Sequence, residues 1–94
     1  MDEKEVFNDA VYYFGRQHQR QKAIEELSEL IKEVSKEQIG EGNIEHLAEE
    51  MADVEITMEQ LKIMYDNAAL VGEYREKKVA RLAAMVFDMK YPAG

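Results

Sequence analysis

At 94 residues, 46% of them apolar, the chain can bury one core, and a core that small is marginal without self-association. A net charge of −8 and a pI near 4.7 argue against a protein that grips a nucleic-acid backbone through a broad basic face. The absence of cysteine excludes a disulfide framework, a thiolate metal site and cysteine nucleophile chemistry.

The amino-terminal residues, Met-Asp-Glu-Lys-Glu, are acidic where a secretory leader is basic, and the longest apolar run, Leu82 to Phe87, is too short to span a bilayer. A cytoplasmic protein is therefore expected, with neither membrane nor nucleic acid as partner. The glycines at 15, 40, 42, 72 and 94 and the single proline at 92 leave long stretches free of helix breakers, so the chain reads as all-α and as one domain over 1–94.

A first helix is predicted over about 3–14, with Val6, Ala10, Tyr13 and Phe14 on one stripe and Gly15 ending or kinking it. The second is predicted over about 17–38, where Ile24, Leu27, Leu30, Ile31 and Val34 recur at three- and four-residue spacing. Gly40-Glu41-Gly42 reads as a turn, and Asn43 as the N-cap of a third helix through about Tyr65, antiparallel to the second. That helix carries Ile44, Leu47, Ala48, Met51, Val54, Met58, Leu61 and Met64 as its apolar face. Asp66-Asn67 marks the next break, a fourth helix follows to about Lys90, and Tyr91 to Gly94 form a loose tail. The expected architecture is an antiparallel bundle of about four helices.

Within this frame one acidic pattern occurs twice. The second helix holds Glu25-Glu26-Leu27-Ser28-Glu29 and the third holds Glu49-Glu50-Met51-Ala52-Asp53. Residues three apart project from one side of a helix, so Glu26 and Glu29 form one two-carboxylate claw, and Glu50 and Asp53 another. Either pair alone is ordinary on a solvated helix face. Both lie beside apolar seams, however, where an ionised carboxylate is costly without a counter-charge. Across an antiparallel turn the claws can face each other, and hard oxygen-preferring cations, Mg²⁺ or Mn²⁺, are the natural relief.

The run Gln19-x-x-Lys22-Ala23-Ile24-Glu25-Glu26-Leu27-Ser28-Glu29-Leu30, followed by Glu49-Glu50-Met51-Ala52-Asp53-Val54, resembles the MazG-like all-α nucleoside triphosphate pyrophosphohydrolases. The resemblance spans roughly residues 15 to 85 and extends to Lys78-x-x-Arg81-Leu82, which looks like the basic pair those proteins carry in their last helix. It implies that Glu26, Glu29, Glu50 and Asp53 hold Mg²⁺, and that the bundle is completed as a homodimer or homotetramer. It also implies hydrolysis of a nucleoside triphosphate between the α and β phosphates to a monophosphate and pyrophosphate. Glu29 is the candidate to orient or deprotonate the attacking water, and Gln19, Lys22, Lys78 and Arg81 are the candidates to meet the nucleotide.

Tyr12, Tyr13 and Phe14 read as core aromatics before base-stacking ones, and His18 and His46 as surface or capping residues. A carboxylate-bridged di-iron bundle is disfavoured because neither histidine follows a glutamate at three residues: position 15 is glycine and position 43 asparagine. Two alternatives stand beside the main reading. One is phosphoribosyl-ATP pyrophosphatase-like activity, although Glu55 to Leu61 lacks the histidine those enzymes usually carry. The other is a non-catalytic acidic helical module whose methionine-rich faces bind a protein.

Overall fold

A computed structural model describes residues 1–93. Among them are four helices and no strand: α1 (Glu3–Phe14), α2 (Arg16–Gln38), α3 (Ile44–Tyr65) and α4 (Ala68–Lys90). These bounds agree with the periodicity and the breakers to within a residue at each predicted end. Tyr91 to Ala93 leave the last helix, and Gly94, the end of the tail, lies outside the described residues. No described helix is long and apolar enough to cross a membrane.

Local chemistry sets each boundary. Asp2 caps α1 by accepting from the Glu5 N–H at 2.8 Å. Gly15 then adopts φ +88°, a conformation costly for a residue with a Cβ, so α1 and α2 do not merge into one long rod. Asn43 caps α3 by accepting from the N–H groups of Glu45 and His46 at 2.9 and 3.1 Å. Asp66, left-handed at φ 49°, closes it. Beneath the α2–α3 turn, a Cβ added at Gly42 would stand 2.6 Å from the Glu37 Cα, so only glycine admits this close approach.

The α2–α3 hairpin forms the centre, α1 folds back against both its helices, and α4 touches α3 alone. The chain is accordingly elongated, 58 × 37 × 24 Å. Along the hairpin, Gln19, Ala23, Glu26, Leu30 and Glu33 of α2 meet Leu47, Glu50, Val54, Thr57, Leu61 and Met64 of α3, all buried or half-buried. Both sets alternate three- and four-residue steps, the spacing that keeps a seam between two packed helices.

This seam differs from the expected core. Ile24, Leu27, Ile31 and Val34, read as the inward stripe of α2, are exposed, and only Leu30 of that stripe is half-buried. On α3, Ile44, Met51 and Met58 are exposed as well. In α1, Phe7, Ala10 and Val11 turn inward while Tyr12, Tyr13 and Phe14 remain open, contrary to their reading as core. The physical reason is that each helix carries two competing stripes, and α4 supplies no layer over the more apolar ones. Among the described residues, Ala23 and Met64 are the only apolar ones that are buried.

Candidate metal centre

The seam brings acids together because their positions alternate with its apolar members. Glu26 sits between Ala23 and Leu30, and Glu50 between Leu47 and Val54, at equivalent levels of two antiparallel helices. One carboxylate oxygen from each of Glu26, Glu50 and Asp53 lies within 4.8 Å of the others, the one such acidic group of three or more among the described residues. The Glu26 side chain is only 13% exposed. One Glu50 oxygen, Oε2, is wholly covered and has no hydrogen-bond partner. An unsatisfied buried carboxylate oxygen is rare because its lost hydration is not replaced.

The electrostatics follow from this crowding. Loss of water raises the Glu50 carboxyl above its ordinary range, and the negative charges of Glu26, Asp53 and Glu29 push it the same way. Asp53 is raised first by loss of water and then by Glu26, with Lys22 pulling in the opposite direction. Glu50 and Asp53 therefore hold protons more tightly than free carboxylates do. A divalent cation in place of those protons would supply the missing positive charge and a partner for the orphaned oxygen.

The other residues singled out in the sequence fall into three groups. Lys22 joins the cluster: its Nζ lies 3.2 Å from Glu26 and 4.0 Å from Glu25, and the bond to Glu26 raises its pKa, so it remains cationic. Gln19 is also at the site, 4% exposed, its Nε2 donating to Gln60 Oε1 at 2.5 Å. Glu29 is exposed at the rim, close enough to act on Glu50 through its charge but outside the three-oxygen set. Lys78 and Arg81 are exposed on α4, which makes no contact with α2, so one chain does not bring them to the acids.

A cleft of about 400 Å³ opens beside the carboxylates, between Phe14, His18 and Gln19 on one side and Thr57 and Gln60 on the other. Thr57 and Gln60 are not among the candidate residues of the sequence. The signal was there in their spacing, four and seven residues after Asp53 and so on the same side of α3. A second, larger groove, about 550 Å³ and lined by Val71, Tyr74, Lys78, Val79 and Leu82 among others, lies on α4.

The chain matches no protein-family model, no curated protein and no solved structure. Its resemblance to the MazG-like enzymes therefore rests on the residues quoted for it.

Proposed function

We propose that the chain is a Mg²⁺- or Mn²⁺-dependent nucleoside triphosphate pyrophosphohydrolase that works as a homo-oligomer. The observation that carries this reading is the convergence of Glu26 and Glu50, both in the helix seam, with Asp53 at its exposed edge, and with Glu50 Oε2 covered and unpartnered. Oxygen-only donors at this charge density suit a hard divalent ion. Such an ion supplies neutralisation of phosphate charge and acidification of water.

The chain's own residues divide the remaining work. Glu26, Glu50 and Asp53 hold the cation, and Glu29, solvent-accessible one turn from Glu26, orients the attacking water and accepts its proton. Water adds to the α-phosphorus, the bond to the bridging oxygen breaks, and pyrophosphate departs with that oxygen. Lys22, already cationic at the mouth, is placed to exchange its contact with Glu26 for a phosphate oxygen.

Self-association supplies what one chain lacks. Helix α4 carries five basic against three acidic residues, a net of +2, which leaves −10 on the rest of the −8 chain. Its apolar residues Val79, Leu82, Val86 and Met89 are exposed, and a helix with so little support is marginal in water. A second copy matches it on both counts, offering the uncovered stripes of α2 and α3 to its apolar face and the acidic centre to Lys78 and Arg81.

The test is pyrophosphate release from a panel of canonical and modified nucleoside triphosphates with Mg²⁺. Release from at least one, abolished by chelation, is expected; silence across the panel refutes the reading. The uncovered face of α4 equally suits the non-catalytic module, which predicts neither release nor a melting temperature raised by Mg²⁺ through Asp53.

A further inference from the structure

The cleft beside the acids has a half that the phosphate chemistry does not use, and its polar groups form an ordered relay. His18 Nδ1 lies 3.1 Å from Gln19 Oε1, and Gln19 Nε2 donates to Gln60 Oε1 at 2.5 Å. An amide oxygen can only accept, so His18 donates from Nδ1 in this contact. Both amide oxygens are thereby engaged by donors, and each glutamine's orientation is set by its neighbour. What Gln60 has left to present to the cleft is its Nε2, a two-proton donor.

The wall next to this donor is flat and open. The Phe14 and His18 rings stack at 4.8 Å with 17° between their planes, and Phe14 is exposed. Parallel rings at the rim of a cleft offer a surface on which a planar heterocycle can stack whatever its identity. Glu26 and Asp53 line the opposite end of the same cleft. A nucleotide with its phosphates at the acids has its base directed along the cleft toward Gln60.

Resting on the pyrophosphohydrolase reading, we propose that this half-cleft is the nucleobase subsite. There the His18–Gln19–Gln60 relay presents a hydrogen-bond donor that selects bases carrying an exocyclic carbonyl over their amino counterparts. A carbonyl accepts from Gln60 Nε2, whereas an amino group at that place sets donor against donor and leaves both unpaired in a partly desolvated site. The proposal therefore commits to one sign of preference, the one set by Gln19 Nε2 donating to Gln60 Oε1.

Two matched pairs of substrates test this, each differing by an oxo-to-amino change and the accompanying loss of the proton on the adjacent ring nitrogen: inosine against adenosine triphosphate, and uridine against cytidine triphosphate. With Mg²⁺ present, kcat/KM is expected to favour the oxo member of each pair by about tenfold or more. Gln60→Met, which keeps bulk without a donor, should bring the ratio toward unity, and Gln60→Glu should favour the amino members, with circular dichroism confirming that both fold. The wild-type pairs alone decide the sign if either variant is unfolded. Equal hydrolysis within the pairs, or preference for the amino members, overturns the subsite proposal and leaves the pyrophosphohydrolase intact. No hydrolysis, but calorimetric binding that favours the oxo members, overturns the hydrolase and supports the subsite. Neither hydrolysis nor selective binding overturns both.

Discussion

Leu82 lies in the middle of α4, lines both the 550 Å³ groove and a neighbouring one, and is 57% exposed in the single chain. Full burial of a leucine contributes about 1.5–3 kcal/mol, so covering the exposed part contributes roughly 1–1.5 kcal/mol. In a two-fold dimer each such contact occurs twice. Leu82→Ala should therefore weaken the proposed dimer by about 2–3 kcal/mol, or roughly 30- to 150-fold in dissociation constant. Sedimentation equilibrium over a range of concentrations measures this directly, and circular dichroism shows whether the helices persist. A wild-type chain that is monomeric at every concentration, or a Leu82→Ala chain that associates as tightly as wild type, would refute the assignment of α4 as the interface.

Three further outcomes follow from the carboxylates. Mg²⁺ at ten times its dissociation constant should stabilise the fold by about 1.4 kcal/mol, raising the melting temperature by roughly 6–11 °C, and chelation should remove the effect. Glu50→Gln should melt higher than wild type without divalent ions, because one repelling charge is gone, yet gain little from Mg²⁺; a wild-type-sized gain would remove Glu50 from the site. Asp53→Asn should lower metal-dependent pyrophosphate release by about a hundredfold or more at unchanged helicity, given that even outer-shell changes at metal sites cost 10- to 100-fold. The pH dependence has a defined sign. Since Glu50 and Asp53 have raised carboxyl pKa values, the folded state binds more protons than the unfolded one. Their stabilising contribution is full below the ordinary carboxyl range and is lost as pH rises through the raised values. The metal-free melting temperature should fall over that window, and the Glu50→Gln/Asp53→Asn double variant should flatten the slope.

The helices were legible because their boundaries are local. Gly15, Asn43 and Asp66 act through their own backbone and nearest neighbours, and chain order alone exposes them. The pairing of Glu26 with Glu50 and Asp53 was legible too, since a short turn between two long helices leaves few other registers. Which stripe turns inward was not. Ile24, Leu27, Ile31 and Val34 make as good a face as Ala23, Glu26 and Leu30, and choosing between them depends on what lies opposite. Gln60 and Thr57 were not legible for a related reason: a glutamine or threonine on a helix has no chemical distinction until a cleft forms against it.

The contact beneath the α2–α3 turn has a consequence at a distance. Gly42 and Glu37 meet so closely that the turn has no slack, and Glu50 follows only eight residues later, about 12 Å along α3. The turn thus works as a ruler: it fixes how far α3 can slide along α2, and with it the level at which Glu50 and Asp53 stand opposite Glu26. A side chain at position 42 would lift the turn and shift those oxygens relative to one another without touching any of them. The precision of the carboxylate cluster is therefore held partly by a residue that has no side chain at all.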